Sequence, residues 1–155
     1  MRIGHGYDVH QLGPGALLVL GGVSIPHKNS LVGWSDADVL THAIIDALLG
    51  AAGLGDIGAH FPPGDPQYKG ISSLVLLKRT GDMLKKKGYQ INNIDATIVA
   101  ERPRLREYAD QMRTALAEAL GCDFDCINIK ASTQEGLGFV GHEEGIIAWA
   151  VALIE

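Results

Sequence analysis

The sequence predicts an α/β sandwich: one mixed, mostly antiparallel sheet of four to five strands with helices on one face. Three observations lead there. Residues 2–11 and 145–154, at the two ends of the chain, read as strands. Between them, segments after Ser35, Ser72 and Pro103 repeat apolar residues at the helical spacing. The elements follow in the order β-β-α-α-β-α-β-β, with neighbouring strands at both ends and helices between the others. No internal repeat or linker interrupts the pattern, so residues 1–155 are expected to form a single catalytic domain.

Residues 2–11 alternate, and Gly13-Pro14-Gly15 then turns the chain. Leu17–Leu20 and Val23–Ile25 form a strand pair broken by Gly21-Gly22, and residues 26–33 connect it to a helix. That helix is predicted to start near Ser35, with Ser35 and Asp38 spaced as a capping box, and to end around Gly53. Leu40, Ala43, Ile44, Ala47, Leu48 and Ala51 make its apolar stripe. Residues 55–70 are rich in Gly and Pro and read as a loop. Ser72 or Ser73 caps a second helix that runs to Gly88, where Lys85, Lys86 and Lys87 suit the negative end of the helix dipole. Residues 89–100 form a strand with Ile94, Ala96, Ile98 and Ala100 on one face. A third helix follows Pro103, with Tyr108, Met112 and Leu116 as core contacts, and residues 127–131 form another strand.

Composition narrows the function. Hydrophobic residues make up 46% of the chain and charged residues 20%, the balance of a globular domain. The net charge of −5 argues against general nucleic-acid binding, which uses a basic face. An anionic ligand would therefore need local devices such as a metal, helix N-termini or single basic residues. No apolar run has the length of a membrane span and no secretory leader is visible, so a cytoplasmic protein is expected. Cys122 and Cys126 are too few for a structural zinc site and read as free thiols.

Two groups of polar residues carry chemistry. Asp8 and His10 alternate with Val9, so they share one strand face with Gly4 and Gly6, which are expected to leave space beside them. Asp38, His42 and Asp46 share one face of the first helix, off its apolar stripe. Asp8, His10 and His42 together offer two nitrogens and one carboxylate, a set that suits zinc or a similar divalent ion with an open fourth position. Asp46 is placed to orient a ligand histidine. The amides at Trp34-Ser35-Asp36 are expected to open the helix and offer an anion site. Lys130-Ala131-Ser132-Thr133-Gln134-Glu135, at a strand end, combines hydroxyls and a carboxylate suited to phosphate and magnesium.

Read together, these stretches resemble the 2-C-methyl-D-erythritol 2,4-cyclodiphosphate synthase family over nearly the whole chain. The matching stretches are Arg2–His10, Ser35–Gly50, Gly53–Gly58 with Phe61-Pro62, and Ile129–Thr133 with Glu135, Leu137, Gly138, Phe139, Gly141, Glu144 and Gly145. The resemblance implies conversion of 4-diphosphocytidyl-2-C-methyl-D-erythritol 2-phosphate to the 2,4-cyclodiphosphate and CMP. It implies a divalent cation at Asp8, His10 and His42, zinc being favoured over manganese, and magnesium at Glu135 with the substrate diphosphate. Thr133 would steady charge at the transferring phosphorus. Asp56, Ile57 and Gly58 would hold the erythritol hydroxyls, while residues 100–106, among them Ala100, Arg104, Leu105 and Arg106, would take CMP with Ala131, Ser132 and Thr133. Val9, Ser35, Phe61, Asp65, Phe139 and His142 complete the implied substrate surface. The family is homotrimeric with sites between subunits, and Tyr7 and Phe139 would line an apolar channel on its axis.

Three residues depart from the family pattern. Trp34 stands where the family usually has a transition-state-stabilising His, Pro63 replaces a common Asp, and His142 replaces an Arg that binds an isoprenoid diphosphate in relatives. Two other readings use the same residues. One is a metal-dependent phosphohydrolase; the other is a non-catalytic trimeric module with a structural metal.

Overall fold

The computed structural model describes residues 1–155. Seven strands form two sheets: β1 (Arg2–Pro14), β2 (Leu17–Leu20), β3 (Val23–Pro26), β4 (Asn29–Leu31), β5 (Ile91–Val99), β6 (Ile127–Ser132) and β7 (Gly145–Ile154). The main sheet has the order β4-β1-β7-β5-β6, and β2 and β3 form a separate ribbon. Only β5 and β6 pair in parallel, joined through a helical crossover as parallel strands require. The mostly antiparallel sheet, predicted with four to five strands, is therefore present with five. Residues 26–33 are more than a connection, because β4 pairs with the end of β1 at Leu12–Leu31.

Helices α1 (Val39–Ala52), α3 (Ser73–Lys86) and α4 (Ala109–Leu120) are the long ones; α2 (Ile57–His60) and α5 (Gly138–Gly141) are single turns. The loop predicted for residues 55–70 thus contains α2 and a 3₁₀ turn at Pro66–Tyr68. The three long helices, the ribbon and one sheet face share a cluster of 35 buried residues. The predicted stripe of α1 is buried throughout, as are Ile94, Ala96, Ile98, Ala100, Met112 and Leu116. Lys85, Lys86 and Lys87 are exposed at the C-terminal end of α3. No helix is long and apolar enough to cross a membrane.

The start of α1 differs from the prediction. The helix begins at Val39, and its N-cap is Asp38, whose Oδ1 accepts from Thr41 N at 3.0 Å. The same buried carboxylate accepts from Gly21 N at 2.9 Å, Gly22 N at 2.7 Å and Thr41 Oγ1 at 2.7 Å. Asp38 therefore fastens the β2–β3 turn onto the helix. Both glycines of that turn have positive φ, as a two-residue hairpin loop needs. Because Asp38 caps the helix, residues 34–36 precede α1 and do not open it as expected.

The space expected beside Gly4 and Gly6 is filled by the backbone of α1. A Cβ on Gly4 would lie 2.0 Å from Ala47 O, and one on Gly6 would lie 1.9 Å from Ala43 O. The neighbouring β7 positions are Ala152 opposite Gly4, Ala150 opposite Gly6 and Ala148 opposite Asp8, all buried. Small residues on both surfaces let the helix lie directly on the strand. We predict that Gly6→Ala destabilises the fold by about 3 kcal/mol, at the upper end of the usual overpacking cost. That lowers the melting midpoint by roughly 10 °C and weakens metal binding, because the helix carrying His42 must lift. Thermal unfolding and a metal titration test this; an unchanged midpoint would refute the close contact.

Candidate active site

The helix–strand contact sets the site by simple stepping. Gly4 meets Ala47 and Ala51, and Gly6 meets Ala43 and Ala47, so α1 runs antiparallel to β1. Two strand residues advance about 6.8 Å and four helical residues about 6 Å. The next inward strand position, Asp8, therefore meets the first turn of α1, where His42 stands.

Asp8 Oδ2 lies 3.0 Å from His10 Nε2 and 3.0 Å from His42 Nδ1, and the two nitrogens are 3.1 Å apart. The partners on the far side of each ring assign the tautomers. His10 Nδ1 is 2.7 Å from Val32 O, which only accepts, so Nδ1 carries the proton. His42 Nε2 is 2.8 Å from Ser73 Oγ and 3.1 Å from Ser35 Oγ. Ser73 Oγ gives its one proton to Asp36 Oδ1, so it accepts from His42 Nε2–H. In their neutral forms, then, both rings turn a lone pair toward the carboxylate oxygen. Three acceptors facing one another require a cation between them.

The three residues fit a metal on this ground. Tetrahedral zinc, with ligand bonds of about 2.0–2.1 Å, holds its ligands about 3.3 Å apart, so the cluster needs to open by about 0.3 Å. Burial disfavours charge on Asp8, but the hydrogen bonds and charge of His10 and His42 outweigh it and hold the carboxyl down at about 2. Burial likewise opposes charge on His10, and Asp8 overcomes it, so the imidazole sits above its ordinary value.

Asp46 does not orient a histidine. Its Oδ1 accepts from Ile57 N at 2.7 Å, which fixes the start of α2 to α1. Asp56 caps α2, accepting from Ala59 N at 2.9 Å, beside exposed Gly58. Phe61 is buried edge-on against Tyr68, with ring centroids 5.6 Å apart. Trp34, which the resemblance puts at the reacting phosphate, donates its single N–H to Asp65 O at 2.9 Å. Val9 is on the opposite strand face from the metal cluster and is exposed.

The second group of expected residues comes together elsewhere. Ala100, Arg104, Leu105, Arg106, Ala131, Ser132 and Thr133 line a cavity of about 220 Å³ with Glu101 and Pro103. It lies at the carboxyl ends of the parallel strands β5 and β6, a usual place for a ligand. Ala100 and Leu105 are buried, so they offer backbone there. No member of the metal cluster lines this cavity, and no hydrogen bond links Thr133 or Glu135 to that cluster. Thr133 and Glu135 are exposed neighbours, with Glu135 N donating to Thr133 Oγ1 at 3.3 Å. Phe139 and His142 are also exposed.

Several supporting residues gave no usable sequence signal. Ser73, expected with Ser72 as a candidate helix cap, is the first residue of α3, whose N-cap is Ser72; its hydroxyl holds His42 from 31 residues away. Glu101 accepts from Gln134 N at 3.3 Å and Gly136 N at 3.4 Å, steadying the turn that presents Glu135. Glu143 pairs with Lys28 at 2.7 Å and Arg102 at 3.4 Å.

The YgbB family model matches residues 1–155. The chain belongs to the YgbB family. Within it, the chain is 65% identical over 155 residues to the 2-C-methyl-D-erythritol 2,4-cyclodiphosphate synthase of Dehalococcoides mccartyi strain CBDB1, covering 100% of this chain and 99% of that one. Among solved structures it is similar to the Plasmodium falciparum IspF CDP complex, with TM-score 0.86 and 32% identity over 99% of this chain and 94% of that one. It also matches the bifunctional IspDF from Campylobacter jejuni, with TM-score 0.95 and 40% identity over 99% of this chain; it spans 42% of that longer protein.

We predict that Ser73→Ala lowers metal affinity about 10- to 100-fold, the usual effect of removing a residue that orients a ligand histidine. The fold should survive, and metal titration beside circular dichroism tests this. Unchanged affinity would show that Ser35 alone orients the ring.

Proposed function

We propose that this chain is a cyclising lyase acting on 4-diphosphocytidyl-2-C-methyl-D-erythritol 2-phosphate. The products are 2-C-methyl-D-erythritol 2,4-cyclodiphosphate and CMP, in the non-mevalonate route to isoprenoid precursors. The observation that carries this is the acceptor-only centre of Asp8, His10 and His42, in a chain 65% identical end to end to a synthase of that name.

In the reaction a 2-phosphate oxygen bonds to the β-phosphorus. The β-phosphorus bond to the bridging oxygen breaks, and its electron pair leaves with CMP. No water is consumed and no protein nucleophile is required, so the chain contributes positioning and charge. Asp8, His10 and His42 hold a divalent ion, zinc in preference to manganese, which supplies positive charge against phosphate oxygens. Glu135 offers a hard oxygen ligand for magnesium bound with the diphosphate. Thr133 donates a hydroxyl to the transferring phosphate. Asp56 uses Oδ1 as a helix cap and keeps its other oxygen for an erythritol hydroxyl, with Ile57 and Gly58 beside it. The cavity at the ends of β5 and β6 takes the cytidine, through backbone at Ala100 and Leu105 and side chains at Arg104, Arg106 and Ser132.

The two half-sites lie apart in one chain, which supports a homotrimer whose sites form between subunits. The helix-free sheet face supports it too. Ile3, Tyr7, Val9, Trp149 and Val151 are each at least 38% exposed there, an apolar surface suited to a second copy.

Two outcomes test this reading. Pure protein with the cytidyl substrate should release CMP and a cyclic diphosphate, followed by phosphorus NMR, and His42→Ala should lose bound metal and nearly all turnover while staying folded. Inorganic phosphate as the product would identify a phosphohydrolase instead; tight CMP binding without turnover would identify a binding module. By light scattering at micromolar concentration the chain should have three times its 16.5 kDa mass; a monomer alone would refute assembly.

A further inference from the structure

Trp34 is a large aromatic residue beside the metal centre whose side chain the proposed chemistry leaves unused. It is 38% exposed, and it precedes Ser35, whose hydroxyl touches the His42 ring. Its bonds all run to one stretch of the substrate loop. Trp34 O accepts from Gly70 N at 2.8 Å, Trp34 Nε1 donates to Asp65 O at 2.9 Å, and Lys69 Nζ sits 5.9 Å from the ring centroid. The next residues continue the seam. Asp36 N donates to Ile71 O at 3.0 Å, and Asp36 Oδ2 accepts from Ser73 N at 2.9 Å.

The tip of this loop, residues 62–67, has almost nothing else to hold it. Pro62, Pro63, Gly64, Pro66 and Gln67 are exposed. Gly64 has φ of 93° and meets nothing within 4 Å of a Cβ position. Asp65 N bonds to Pro62 O, and the Asp65 carboxylate bonds to Gln67 N and Nε2, all inside the tip. Tyr68 N and Lys69 N turn back onto Asp65 O and Pro66 O. The indole N–H is the one hydrogen bond that ties the tip to a residue outside the loop. Proline at 63 leaves no amide there to make another.

We propose that Trp34 is a positioning residue that clamps the tip of the 55–70 loop to the metal-bearing segment, setting where Asp65 and its neighbours meet substrate. The substrate part of this inference rests on the proposed lyase function; the clamp itself does not. The indole thereby affects binding of the erythritol diphosphate rather than charge at the transferring phosphorus. Its N–H fixes the position of Asp65, and the Lys69 ammonium lies over its ring.

Trp34→Phe keeps an aromatic ring, smaller than the indole, and removes the N–H, and a partly exposed position tolerates that change. Two measurements read the effect, with metal content and circular dichroism as controls. Native-state trypsin cleavage after exposed Lys69 should speed up in Trp34→Phe and more so in Trp34→Ala. This readout needs no turnover, so it stands or falls separately from the reaction. KM for the cytidyl substrate should rise about three- to tenfold, the fold-change equivalent to one lost neutral hydrogen bond, while kcat falls by less. Unchanged cleavage would overturn the clamp. A collapse of kcat at unchanged KM in Trp34→Phe would also overturn it, assigning the indole to the transferring phosphate.

Discussion

The backbone of α1 rests on the backbone of β1 at Gly4 and Gly6, and the site depends on that contact. A side chain at either position would meet a helix carbonyl at about 2 Å. The alanines at 43, 47 and 51 on the helix and at 148, 150 and 152 on β7 extend the small floor on which the helix lies. Close packing of this kind leaves little room for the helix to slide or roll. The antiparallel stepping of strand and helix then carries Asp8 and His10 to His42 without any loop between them. A metal ligand set built on a strand and a helix is held more rigidly than one built on loops.

Around that frame, each ring is oriented from behind by a group on another element. Val32 O, beyond the end of β4, fixes His10; Ser73, at the start of α3, fixes His42 and is itself fixed by Asp36. Asp46 reaches from α1 to Ile57 and ties the 55–70 loop to the same helix. The Asp8, His10 and His42 cluster thus draws on β1, the segment after β4, α1 and α3 at once. Its electrostatic character follows: three acceptors converge where burial already disfavours charge, and the cost is offset only when a cation sits among them.

The second half-site uses different physics. It sits where two parallel strands end together and their following turns diverge, and Glu101 gathers the turn after β6 onto the end of β5. Its lining combines buried Ala100 and Leu105 with the hydroxyls of Ser132 and Thr133 and the charged side chains of Glu101, Arg104 and Arg106. The separation of the two within one chain, and the apolar face opposite the helices, are the features on which the proposed assembly rests.

Much of this was legible in the sequence because short-range rules decide it. Period-2 alternation placed Asp8 with His10, period-3.6 repetition set the buried face of α1, and Gly53 ended that helix in the left-handed conformation. The motif set also marked residues 100–106 and 131–133, which tertiary structure gathers into one cavity. Other features turn on long-range contact, which local pattern does not encode. Asp38 and Asp46 have the same spacing from His42 as a ligand set would, yet one is a buried cap for a distant hairpin turn and the other anchors a loop. Gly4 and Gly6 read as empty space, and only the fold shows a helix in it. Trp34 and Ser73 owe their roles to partners 31 residues away, a distance across which sequence carries no period. The sequence by itself determined which residues share a strand or helix face, since backbone geometry repeats every two or 3.6 residues. The tertiary structure decided which faces meet and which polar groups satisfy one another, since those depend on how closely two backbones can approach.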